Sequence, residues 1–199
     1  MRPTPAIPPR PLSLDGMVRA VEIVRERLER TTAALEQARI QYVVLGGHAV
    51  AAWVASVDPA AVRTTPTVDV LLRREDIVSA SEALEPAGLH VEQTESGLAL
   101  RDAVITSPPR TGRVIIAGEL VRPDNVVPAP DVTESVRLDG LPVPTFEALL
   151  RMKLTAFRNV DRMHLRDLMD VELLDTAWVS RLPPILGTRL QAVLDDPKG

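Results

Sequence analysis

Two adjacent glycines, Gly46 and Gly47, separate the apolar run Tyr42-Val43-Val44-Leu45 from the helix-forming stretch His48-Ala49-Val50-Ala51-Ala52. A chain that passes from a buried strand straight into a helix needs a tight turn, and residues without a Cβ allow it. The turn also leaves the first N–H groups of the helix free to meet an anion such as phosphate. Downstream, Arg63-Thr64-Thr65-Pro66-Thr67 leads into a second apolar run, 68–72, that carries one acidic residue, Asp69. A carboxylate on a strand beside the glycine turn is placed to hold Mg²⁺ against the same phosphates. Residues two apart on a strand share a face, so Thr67 and Asp69 form a pair in which one member is a neutral hydroxyl.

Composition narrows the setting. The chain of 199 residues is 45% hydrophobic, enough to bury a sizeable core. A net charge of −4 and a pI near 5.5 argue against a protein built to coat extended nucleic acid. Cysteine is absent, which removes disulfides, thiolate metal sites and a Cys nucleophile. With no apolar run of membrane-spanning length and no signal-peptide core, the expectation is a cytoplasmic protein.

The periodicities predict three segments. Residues 1–12 hold five prolines, Pro3, Pro5, Pro8, Pro9 and Pro11, and read as an extended arm, either a frayed terminus or a proline-rich ligand for a protein partner. Residues 13–143 read as an α/β core. It has an amphipathic helix over 15–37, strands at 40–45 and 68–72, a helix over 75–87, and short strands near 89–93, 98–103 and 113–117. A turn at 108–112 precedes the last of these, and a hairpin turns at Asp139-Gly140. Residues 144–199 read as helices packed on that core, over 146–157, 161–174 and 183–194, with Thr145 as an N-cap. The expected fold class is α/β (α+β): a mixed, twisted sheet carrying 40–45, 68–72 and 113–117 side by side, flanked by helices.

The strand-Gly-Gly-helix, the Arg-x-Thr-x-x-x-Asp strand and the C-terminal helices, in that order, resemble the nucleotidyltransferase superfamily of DNA polymerase beta. The likeness is to its small bacterial members and the nucleotidyltransferase-like toxins of abortive-infection systems, which carries a toxin–antitoxin setting with it. The resemblance implies that Gly46, Gly47 and His48 face a nucleotide such as ATP or GTP. It implies that Asp69 is a catalytic carboxylate and metal ligand, with Mg²⁺ as the ion. It also maps Leu150-Arg151-Met152-Lys153-Leu154-Thr155-Ala156-Phe157-Arg158 and Asp161-Arg162-Met163-His164-Leu165-Arg166-Asp167 onto helices whose lysine reaches toward the nucleotide, so Lys153 and Arg158 become nucleotide-facing candidates.

The match is incomplete where charge matters. Family members carry Asp-x-Asp on the second strand and a third acid on a later one. Here Thr67 replaces the first Asp, and the run Gly112-Arg113-Val114-Ile115-Ile116 offers no acid at its centre. One carboxylate of three implies a degenerate two-metal centre that retains at most nucleotide or partner binding. Two alternatives stay open. One is an active Mg²⁺-dependent transferase that modifies a protein, RNA or small molecule, using Asp69 and a nonstandard acid such as Glu119. The other is a cleft repurposed for another small molecule. Each residue also has a plainer role open to it. His48 would pack at the sheet edge, Asp69 would cap a turn or pair with Arg63 or Arg73, and Lys153 would sit on a solvated helix face.

Overall fold

The computed structural model describes residues 13–104 and 112–196; the proline-rich arm and all but the last residue of the 108–112 turn lie outside them. The first helix, α1 (Leu14–Gln37), opens on Ser13, whose hydroxyl accepts from the Gly16 N–H at 3.1 Å. Then follow β1 (Val43–Leu45), α2 (Gly46–Ala55), β2 (Asp69–Leu72), α3 (Ile77–Leu84), β3 (Leu89–Thr94), β4 (Gly97–Asp102) and β5 (Arg113–Ile116). The hairpin β6 (Ser135–Leu138) and β7 (Leu141–Pro144) leads to α4 (Phe146–Ala156), α5 (Asn159–Asp170) and α6 (Pro184–Asp195). Among the described residues no helix is long and apolar enough to cross a membrane.

Five strands form one mixed sheet in the order β1-β2-β5-β4-β3, so the three apolar runs expected side by side are adjacent. The β2/β5 pair is parallel, and the β1/β2, β5/β4 and β4/β3 pairs are antiparallel. The parallel pair requires a crossover, which α3 and the β3–β4 hairpin supply. Where the predicted boundaries move, a local cause is visible. The 75–87 helix keeps α geometry only over Ile77–Leu84 and ends in a 3₁₀ turn, Glu85–Ala87, because Pro86 has no N–H to continue the ladder. Gly88 at φ 73° then turns the chain into β3. The 161–174 helix stops at Asp170, before Glu172 takes a left-handed φ of 59°. The 40–45 strand shrinks to three residues because β2 pairs with no more than Val43, Val44 and Leu45. Asp139 and Gly140 both take positive φ, as a tight hairpin turn demands.

Side-chain alternation gives the sheet two unlike faces. Val44, Val70, Leu72 and Val114 point to one side, where Leu35 of α1 and Ala80 and Leu84 of α3 cover them. Val43, Leu45, Leu71 and Ile115 point to the other, where Ala129, Val132 and Met152 complete a smaller cluster. The second face is only partly roofed, and its open end is the cleft described below. A third core joins α2 to α4, α5 and α6 through Val50, Val54, Leu150, Leu154, Leu165 and Leu186. Across the sheet, α1 is pinned by a buried polar contact. Arg27 Nε and Arg30 Nη2 both donate to Asp102 Oδ2, at 3.0 and 2.5 Å, and Arg30 Nη1 reaches the Ala87 carbonyl at 2.7 Å.

Candidate functional site

The cleft lies over the β1, β2 and β5 end of the second face, between the sheet, the 121–129 loop and helices α4 and α6. Strand register decides which side chains meet there. Asp69 is the first residue of β2 and pairs with Leu45, the last of β1, so it stands beside the glycine turn. On the other side β5 runs parallel to β2 with Val70 opposite Val114, which sets Arg113 next to Asp69 on the same face. Gly112 permits this approach: a Cβ there would lie 1.7 Å from the Val68 carbonyl oxygen. The result is a closed contact. The Arg113 N–H donates to Asp69 Oδ1 at 3.0 Å and its guanidinium Nη2 donates to Asp69 Oδ2 at 3.2 Å. Asp69 is therefore paired neither with Arg63 nor with Arg73. Arg63 binds Asp167 at 2.7 Å, and Arg73 binds Gln41 and Asp131.

The two glycines do different work. Gly46 takes φ 68°, and a Cβ on it would come 3.0 Å from Asp69 Oδ2, so it shapes the cleft wall beside the carboxylate. Gly47 faces the opposite way, where Thr65 occupies the space a Cβ would need, at 2.6 Å. No side chain caps the start of α2. His48 is half-buried, and its Nε2 has no partner among the described residues. Burial pushes its imidazole below the usual range, with Asp69 opposing the shift. Thr67 precedes β2 rather than lying in it and does not line the cleft.

The opposite wall is cationic. Lys153 of α4 is buried, its Nζ 2.9 Å from His164 Nδ1 and 3.5 Å from Asp161 Oδ1, which excludes the solvated-face alternative. Burial lowers its pKa, while Asp161 pulls the other way. His164 is pushed down to about 4, first by burial and then by the Lys153 charge, so at neutral pH it accepts the lysine's proton donor. Arg158 precedes α5 and clasps Asp161 through Nε at 2.7 Å and Nη2 at 3.2 Å, while its own N–H is accepted by the same carboxylate. Asp161 stays ionised against a burial penalty because Arg158 and Lys153 both favour its charge. Around the cleft five basic side chains (Arg113, Arg122, Lys153, Arg158 and Arg189) face three carboxylates (Asp69, Asp124 and Asp161). Thr155 also lines it, and its buried Oγ1 has no partner among the described residues.

This donor set suits an anion better than a divalent cation. Among the described residues no group of three or more His, Asp or Glu side chains is placed to hold a metal. Both oxygens of Asp69 are engaged by Arg113, and the other residues of its face, Leu45, Leu71 and Ile115, are apolar. Mg²⁺ needs carboxylate oxygens that are free to turn toward it, so the residues present do not fit the ion. Glu119, the nonstandard acid considered above, lies outside the cleft and forms a two-point pair with Arg74 at 2.5 and 2.6 Å. Asp167 and Asp170, neighbours on α5, likewise form no metal group, since Arg63 takes Asp167. Sequence reasoning did not rank Arg113 or Asp161 for the site. Arg113 is defined by a pairing across 44 residues that no local spacing announces, whereas Asp161 meets Arg158 at i,i+3, a local signal that was available.

No family model and no curated protein matches the chain. Solved structures do. JHP933 from Helicobacter pylori superposes with a TM-score of 0.50 at 13% identity, covering 94% of this chain and 95% of its own. A second H. pylori protein, provisionally assigned as a nucleotidyltransferase, gives 0.48 at 14% identity over 94% and 98%. The antibiotic-resistance factor ANT(2'')-Ia gives 0.48 at 16% identity over 83% and 93%. Such identities speak to fold alone. With its five-stranded mixed sheet flanked by helices, this chain shares the fold of JHP933.

Proposed function

We propose that the protein binds a nucleotide, such as ATP or GTP, in this cleft and does not transfer its nucleotidyl group. One observation carries the reading: Asp69, the carboxylate that the sheet presents to the cleft, has both oxygens occupied by Arg113. Two-metal transfer needs carboxylates that neutralise one ion on the triphosphate and another on the attacking hydroxyl. Here that charge is absent at Thr67 and Ile115 and satisfied at Asp69. The cationic wall remains useful without catalysis. Arg122 and Arg158 are exposed enough to meet phosphate oxygens, and Gly46 leaves the backbone open beside them. His48 and Gly47 then serve mainly to seat α2, and Lys153 acts from beneath through its charge.

Two measurements test the reading. Isothermal titration with ATP and GTP is expected to show weak binding, reduced about tenfold or more in Arg122→Ala, since charge-assisted hydrogen bonds are worth more than one decade in affinity. Radiolabelled ATP, GTP, CTP and UTP, incubated with the protein, cell extract and Mg²⁺ or Mn²⁺, are expected to leave no label on protein or RNA, in wild type and Asp69→Asn alike. Robust labelling by wild type that Asp69→Asn abolishes would establish the transferase alternative instead. A protein partner or a toxin–antitoxin role would then be sought through whichever macromolecule carried the label.

A further inference from the structure

Taking the proposed nucleotide site as its frame, we infer that Arg113 is a built-in replacement for the divalent ion: it neutralises Asp69 and presents a fixed positive charge to the phosphates of the ligand. The geometry that supports this is local and complete. Parallel register and the close approach at Gly112 fix the Arg113 backbone, so the N–H lands on Asp69 Oδ1 and the guanidinium on Oδ2. The carboxylate is held from one side by both contacts and is only 10% exposed, whereas the Arg113 side chain is 38% exposed. Only Nη2 of its guanidinium is used, and Nε and Nη1 take no partner among the described residues. A guanidinium that spends one nitrogen on a buried carboxylate and itself lines the cleft can bridge that carboxylate to an anion. A magnesium ion in a two-metal site performs the same electrostatic task. Arg158 on the far wall has a parallel arrangement, anchored on Asp161 and 39% exposed. The phosphate group would sit between two anchored guanidinium groups, with the unpartnered Thr155 hydroxyl at the same wall.

The consequence is that ligand binding is independent of metal and that the site resists becoming a metal site. Three proteins separate the causes: wild type, Thr67→Asp, and Thr67→Asp combined with Arg113→Met, which removes the charge but keeps an apolar stem. Arg113→Gln serves in place of Arg113→Met if the latter melts at a lower temperature than wild type by circular dichroism. The metal is read with Mn²⁺ alone, through loss of its free-ion electron paramagnetic resonance signal. The nucleotide is read with ATP by titration calorimetry, with Mg²⁺ and with EDTA.

Wild type is expected to bind ATP with the same affinity, within about twofold, in Mg²⁺ and in EDTA. Thr67→Asp alone is expected to gain little Mn²⁺ affinity, because Arg113 still occupies Asp69. Adding Arg113→Met is expected to tighten Mn²⁺ binding at least about tenfold over Thr67→Asp, and to make ATP binding metal-dependent. Loss of ATP binding in EDTA, or equal Mn²⁺ affinity in Thr67→Asp with and without Arg113, overturns the inference. Absence of any ATP binding by wild type overturns the proposed function, while the Mn²⁺ comparison still decides the role assigned to Arg113.

Discussion

Asp102→Ala is expected to destabilise the fold by about 3–5 kcal/mol, the cost of leaving a buried charge without its counter-ion. The carboxylate is fully buried at the end of β4, and the Arg27 side chain beside it is 1% exposed. Arg27 depends on this contact more than most arginines would, since its Nη2 is buried with no partner among the described residues. Arg30, 27% exposed, shares the same oxygen and can turn toward water when it is lost; Arg27 cannot. The substitution also frees the Val104 N–H from Asp102 Oδ1. Urea unfolding of Asp102→Ala measures the loss, and the double change Arg27→Met with Asp102→Leu is expected to recover most of it, because an apolar pair of similar volume carries no desolvation penalty. A fall below about 1 kcal/mol would mean that α1 is held on the sheet by Leu28, Thr31 and Leu35 rather than by charge.

What the sequence disclosed follows from how far apart the interacting residues lie in the chain. The Gly-Gly turn, the Asp139-Gly140 hairpin and the apolar strands are local patterns, and they placed the three central strands and the helices to within a few residues. The sheet order itself, β1-β2-β5-β4-β3, was legible in its β1-β2-β5 part, whereas no local pattern placed β4 and then β3 beyond β5. Site residues divide in the same way. Gly46, Asp69, Lys153 and Arg158 were found through the order of their motifs, and the structure brings all four to one cleft. Arg113 was within reach of the same reasoning as the residue after Gly112, yet nothing local distinguishes it from an arginine that opens any exposed strand. Its meaning comes from a register with β2 that spans 44 residues of chain. Gly47 and Thr67 belong to the motif without lining the cleft: Gly47 backs onto Thr65, and Thr67 lies two residues before β2 begins.

Acid is expected to weaken the fold by up to about 3 kcal/mol through His164, and to do so in a defined window. The imidazole is held neutral in the folded protein, with its pKa lowered from 6.5 to about 4, mainly because it is buried and secondarily because Lys153 stands beside it. A histidine whose folded pKa is depressed takes up its proton more readily when unfolded. Its contribution is therefore complete above pH 6.5 and is lost as pH falls toward 4. Asp131, held down at about 2 by Thr133 and Arg73, loses its own contribution only below its ordinary value of 3.8, so the two effects separate. Protonation also removes the acceptor at 2.9 Å from Lys153 Nζ and sets two cations against each other beneath the cleft. His164→Gln keeps an acceptor and cannot titrate, so urea unfolding at about pH 7 and about pH 4.5 is expected to show a steep drop for wild type and a shallow one for the variant. Equal drops would place the acid sensitivity on His48, whose imidazole is also held below its usual range by burial. Nucleotide affinity at the same two pH values gives an independent reading, since a cleft whose Lys153 is displaced by a charged His164 would lose the anion in wild type and keep it in His164→Gln.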